Sequence, residues 1–170
     1  RDAARERGLD AAVVPTGQTG IMIAGWGIAI DRVISDFAAG ATERLVHRAS
    51  DNDVLFVEGQ GALAHPAYSG VTAAILHGSH PDALVLCHVA GRERVGGYDA
   101  YALPDPERYA TLYEEVAAPV SSATVDAGLL NTQGLDDART AVESYSDRLG
   151  VPATDPVRYD ADAVLDAVLE

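Results

Sequence analysis

No lysine occurs among the 170 residues; all 12 basic side chains are arginine, and they face 26 acidic ones. A net charge of −14 argues against a nucleic-acid backbone as partner, because phosphates meet repulsion over most of the surface. Without lysine, no Walker A phosphate loop lies within these residues. An acidic, lysine-free surface fits a protein dissolved in molar salt, where the Debye length is only about 3 Å and self-repulsion is screened. That makes halophilic adaptation the expectation, with a merely acidic mesophilic protein as the alternative. One cysteine, Cys87, cannot form an internal disulfide, so the redox compartment stays open and cytoplasm is the default. Apolar runs are broken by Gly, Asp or His well before the roughly 18–20 residues a membrane span needs, so no membrane partner is expected.

What is present is enough for one compact domain over residues 1–170, since 48% of the residues are hydrophobic. The opening "RDAARERG" lacks Met and reads as the last turns of a helix that Gly8 ends, so the chain is expected to be a truncated piece that starts in mid-fold. An edge left by missing strands would pair with another copy, and a homo-oligomer is expected. A strand over 11–15, a Gly-rich loop "TGQTGIMIAGWG" and a helix over 28–49 follow, the helix resting on the spacing of Ile30, Val33, Ile34, Phe37, Leu45 and Val46. Further on, "DVLFV" reads as a strand, "SGVTAAILHG" as a helix and "DALVLCHV" as a strand, followed by a loop rich in Gly, Pro and Tyr. A helix over 106–116, a strand over 121–127, a helix over 135–149 stopped by Gly150, a short strand over 152–157 and a last helix from Ala161 complete the series. Continuous apolar strands separated by helices indicate an α/β fold with a doubly wound, mainly parallel sheet.

Ligands of such sheets gather at the carboxyl ends of strands. Both "VPTGQTG" and "FVEGQG" put glycines and polar residues at that edge. A carboxylate at a strand tip can hold Mg²⁺, and glycines let backbone N–H groups approach phosphate oxygens. Glu58 is therefore the leading candidate and a metal residue together with Asp31, while Thr16, Gln18, Thr19, Gly59, Gln60 and Gly61 are candidates for holding a cofactor. Glu58 could instead cap the turn that follows it, Thr-Gly is ordinary turn chemistry, and Asp31 could simply favour the dipole of a helix start. His65 and Ser69 follow on the adjoining loop and are the candidate catalytic pair, able to orient an acyl or phosphoryl group, against a purely structural role. Asn131 and Thr132 could line a base or adenosine pocket or form a plain turn. His77 and His80 lack further ligands at a recognisable zinc spacing. Cys87 and His88 are strand neighbours that point to opposite faces, which disfavours a Cys/His pair.

Three segments, "PTGQTGIMIAGWGIAIDRVISDFAAGATERLV", "VEGQGALAHPAYSGVTAAILHGSHPDALVLCH" and "NTQGLDDA", resemble the C-terminal P-loop-type domain of an uncharacterised-domain family that includes D-glutamate N-acetyltransferases of D-amino-acid catabolism. The resemblance implies a P-loop NTPase-like nucleotide-binding domain of a longer protein, with the lysine-bearing phosphate loop preceding the helix at residues 1–7. It implies an N-acetyltransferase taking a small-molecule substrate, with acetyl-CoA, or ATP or GTP with Mg²⁺, as cofactor; the isolated piece would be inactive. "VEGQG" is also similar to a strand end of dethiobiotin synthetase, whose glutamate assists magnesium and nucleotide binding. A non-catalytic nucleotide-binding module and an ATP-dependent ligase thus stand as alternatives.

Overall fold

Parallel pairing organises the chain, whose computed structural model describes all of residues 1–170. They form two compact units, Arg1–Pro81 and Asp82–Glu170.

In the first unit, helix α1 (Asp2–Glu6) leads into strand β1 (Ala11–Val14), helix α2 (Gln18–Ala24), a 3₁₀ turn (Ile30–Arg32), helix α3 (Ser35–Arg48), strand β2 (Val54–Val57) and helix α4 (Ser69–Ser79). β1 and β2 pair in parallel, Ala11 opposite Val54 and Val14 opposite Val57. Val14, Ile30, Ala38, Leu45, Ala49 and Ile75 form the buried core. Helices α3 and α4 pack closely at Gly78, where an added Cβ would lie 2.1 Å from the Ala39 carbonyl oxygen.

The expected Gly-rich loop holds helix α2, closed by Gly25 in the left-handed region. None of its residues is buried, so a core-facing periodicity had nothing to report. The expected helix over 28–49 is divided: Val33 and Ile34 are extended, and α3 starts only at Ser35. Two of the apolar residues that suggested continuity, Ile34 and Phe37, are exposed, and α3 buries Ala38 and Thr42 beside the expected Leu45.

In the second unit, strand β3 (Leu84–Val89) is followed by β4 (Arg94–Val95) and β5 (Tyr98–Ala102), helix α5 (Pro106–Ala117), strand β6 (Val125–Asn131), helix α6 (Ala138–Leu149), strand β7 (Ala153–Thr154) and helix α7 (Asp162–Leu169). β6 lies between β3 and β7, parallel to both. β4 and β5 form an antiparallel hairpin in the stretch expected to be a loop. Its signal was Val95-Gly96-Gly97-Tyr98, a two-glycine turn with Gly97 at φ +78°.

The strand expected over 121–127 is displaced to Val125–Asn131, with Gly128 inside it. That glycine is a point of close packing and not a stop: a Cβ there would meet Leu149 Cδ1 and Tyr145 Cε1 at 2.8 Å. Helix α6 begins three residues later than expected because Asp137 caps it, Oδ1 accepting from the Thr140 amide at 3.1 Å. Gly150, at φ +72°, ends it as expected. The architecture is α/β with parallel sheets. No helix is long and apolar enough to cross a membrane.

Candidate functional site

Because β1 and β2 run in parallel, their chains leave the sheet side by side. The Glu58 amide adds one more rung by donating to the Val14 carbonyl at 3.0 Å. The Glu58 side chain then turns back across the exit of β1, where Oε2 accepts from the amides of Thr16 at 3.0 Å and Gly17 at 2.9 Å. The Thr16 hydroxyl donates to the Glu58 carbonyl at 2.7 Å, and Gln60 Nε2 donates to the Thr16 carbonyl at 2.6 Å. That same carbonyl accepts from the Ile30 amide at 2.9 Å, so the 3₁₀ turn is tied to the knot. Thr72 Oγ1 closes it by donating to the Gln60 carbonyl at 2.9 Å.

The glycines have separate tasks. A Cβ on Gly20 would lie 2.2 Å from Glu58 Oε2, so the first turn of α2 accepts the carboxylate only because residue 20 has no side chain. Gly61, at φ +68°, sits where a Cβ would be 2.8 Å from Thr72 Oγ1. Gly59 faces open space.

Of the expected site residues, the structure brings Thr16, Glu58 and Gln60 together. Thr16 is fully buried and, like Gln60, spent on internal hydrogen bonds; Gln18 and Thr19 are exposed on α2. His65 stacks on Tyr68 with centroids 4.3 Å apart, and its Nδ1 accepts from the Ala67 amide at 3.1 Å. Ser69 opens α4, its amide bonded to the His65 carbonyl at 3.1 Å. Asp31 pairs with Arg32 at 3.6 Å.

The second unit carries the other two candidates. Asn131 ends β6 and its Oδ1 accepts from the Gln133 amide at 2.9 Å. Thr132 is fully buried: its amide donates to Asp155 Oδ2 at 3.0 Å and its hydroxyl to the same oxygen. Those bonds, the Thr132 hydroxyl foremost, hold the Asp155 carboxyl below the usual range.

Glu58 Oε2 already serves two backbone amides, and no group of three or more His, Cys, Asp or Glu side chains is placed to hold a metal. Neither 8–31 nor 49–91 contains an arginine or lysine, so these two stretches offer a phosphate no such side chain.

A feature that the sequence reading passed over lies in the second unit, a cavity of about 640 Å³ at the carboxyl end of β3. Leu130 and Tyr145 are its buried lining, His88 forms a wall, and Arg92, Arg94 and Arg148 stand around it. His88 stacks on Tyr145 with centroids 5.9 Å apart, and the Tyr145 hydroxyl donates to the Leu86 carbonyl at 3.1 Å. Burial first, then the charges of Arg92 and Arg148, push the His88 pKa below its ordinary value, which keeps the imidazole neutral near pH 7. The available signal was "GRERVGG", two arginines in the turn and hairpin start directly after a strand.

A family model described as a domain of unknown function, the DUF1611_C P-loop domain, matches residues 1–165. The chain belongs to the DUF1611 family. A DUF1611 family protein from Anabaena variabilis has a crystal structure that matches this domain with TM-score 0.94 and 41% identity, over 98% of this chain and 50% of that one. Two curated relatives are named D-glutamate N-acetyltransferase. The one from Tritonibacter scottomollicae is 40% identical over 95% of this chain, and the one from a Pseudoalteromonas species 37% identical over 96%. The DUF1611 domain spans about half the length of each, 50% in both cases. The signal recognition particle 54 kDa protein of Aeropyrum pernix, solved in complex with GDP, matches at TM-score 0.54 and 12% identity, over 98% of this chain and 43% of that one. That likeness is one of fold, and it agrees with the family model's own description as a P-loop domain.

Proposed function

We propose that this DUF1611 domain is part of an N-acetyltransferase acting on D-glutamate or a related D-amino acid. The observation that carries the reading is the 40% and 37% identity, over nearly the whole chain, to two relatives bearing that name. Acyl transfer needs a group that accepts the amine proton and donors for the developing oxyanion. The strand-end knot around Glu58 contributes a fixed wall at the edge where ligands of α/β folds collect. Acetyl-CoA is the proposed cofactor, and its phosphates would be met by cationic groups outside these two loops, which supply none.

The test uses the whole protein in which the domain resides. Acetyl-CoA should raise its unfolding midpoint, with about 2.7 kcal/mol of added stability at a hundredfold excess over the dissociation constant. Adding D-glutamate should release free CoA thiol. Stabilisation by ATP or GTP, with no thiol released from any D-amino acid, would replace the transferase with a nucleotide-binding module or ligase.

The charge of −14 without lysine supports a second proposal, adaptation to high salt. Lowering KCl from molar to about 0.1 M lengthens the Debye distance to roughly 10 Å, and the unfolding midpoint should fall. A midpoint equal or higher in dilute buffer would return the surface to that of an ordinary acidic protein.

A further inference from the structure

We propose that the cavity beside β3 in the second unit is a binding site for a small carboxylate-bearing molecule, seated on Arg92. Several independent features converge there. Its position follows from topology: the chain leaves β3 at Val89, turns through Gly91 at φ +72°, and the Arg92 amide donates back to the Val89 carbonyl at 3.1 Å. Arg92 is thereby fixed at the carboxyl end of a parallel strand, the edge at which α/β sheets take ligands. The volume of about 640 Å³ lies inside the range of roughly 300–1,000 Å³ typical of small-molecule sites.

Charge decides the class of ligand. Three of the chain's 12 arginines line this one cavity, together with the acids Glu93 and Asp105. The local balance of three positive against two negative charges is +1, in a chain of −14. Two of the arginines are engaged: Arg94 donates to the Asp99 carbonyl at 2.8 Å, and Arg148 pairs with Asp105 at 2.9 Å. Arg92 has no carboxylate partner, and its planar fork matches a carboxylate through two parallel hydrogen bonds. The planar guanidinium suits the two coplanar oxygens of a carboxylate, whereas a phosphate, with both its negative charges on one tetrahedral centre, would face Glu93 and Asp105 at once. The neutral ring of His88, flat against Tyr145, and the buried Leu130 give the carbon chain of such a molecule an apolar surface.

This proposal rests on the cavity and not on acyl transfer. Calorimetric titration therefore uses glutarate, D-glutamate and inorganic phosphate, each without any acyl donor. Glutarate and D-glutamate should bind saturably, with phosphate at least tenfold weaker. Arg92→Gln should weaken glutarate tenfold or more, whereas Arg44→Gln, in the first unit, should leave it unchanged. Arg92 is exposed, so its replacement should keep the unfolding midpoint; circular dichroism verifies that on the same sample. No saturable binding of either dicarboxylate, phosphate binding tighter than both, or equal glutarate affinity in wild type and Arg92→Gln would each overturn the assignment. If glutarate binds through Arg92 while no acetyl transfer is found, the transferase reading fails and this site stands.

Discussion

Gly20→Ala should lower stability by about 2 kcal/mol, although alanine in place of glycine inside a helix ordinarily stabilises by up to about 1 kcal/mol. The new Cβ would lie 2.2 Å from Glu58 Oε2 and 2.8 Å from Cδ, so the carboxylate must move. A carboxylate end is flexible, and the displacement itself is cheap; what is lost is its pair of bonds to the Thr16 and Gly17 amides. Hydrogen bonds to charged groups contribute about 1.5–3 kcal/mol each net of the exchange with water, which outweighs helix propensity. Glu58→Ala should cost about 2–3 kcal/mol for the same reason. In the Glu58→Ala background, Gly20→Ala should then be neutral or stabilising. Urea unfolding of the four proteins reads this directly. Additive effects would show that the carboxylate and the glycine do not act as a unit.

Gly78→Ala should do more damage, about 3 kcal/mol or above. Here the atom in the way is backbone: a Cβ would lie 2.1 Å from the Ala39 carbonyl oxygen and 2.8 Å from Thr42 Cβ. Neither can swing aside, so α3 and α4 would have to separate and uncover Leu45 and Ile75. Gly40, inside α3, has nothing within 4 Å of a built Cβ and serves as the control. Gly40→Ala should stabilise by about 0.5–1 kcal/mol. A midpoint for Gly78→Ala within error of wild type would mean that the helices are free to drift apart.

The strand-helix alternation was legible because short, continuous apolar runs such as "VLFV" are separated by longer segments of helical spacing, even though VLFV itself is only half-buried. Glu58 was legible for a related reason, an acid at the end of such a run. Its use was not, because the partners of its carboxylate are backbone amides 41 and 42 residues earlier, and a sequence names side chains only. Helix α2 escaped notice since Met22 and Ile23 point outward, 78% and 76% exposed, and imitate no core pattern. Gly128 misled in the opposite sense. It lies just past the expected strand and is in fact inside the observed one, where Tyr145 and Leu149 press on it. The Arg92 cavity needed the ends of β3, the hairpin and α6 brought together, which only tertiary structure supplies.

One device occurs twice. Glu58, just past β2, grips the amide of Thr16, just past β1; Asp155, just past β7, grips the amide of Thr132, just past β6. In each unit a carboxylate from one strand staples the exit of its neighbour. The direction in which each chain departs is thereby decided before the following loop begins. Beyond Gln133 the loop is free to lengthen, shorten or change composition without re-aiming the strand behind it, whereas beyond Gly17 that freedom begins only after Gly20, whose missing side chain seats the Glu58 carboxylate. A lineage could exchange the ligand such loops serve while the scaffold beneath stays in register.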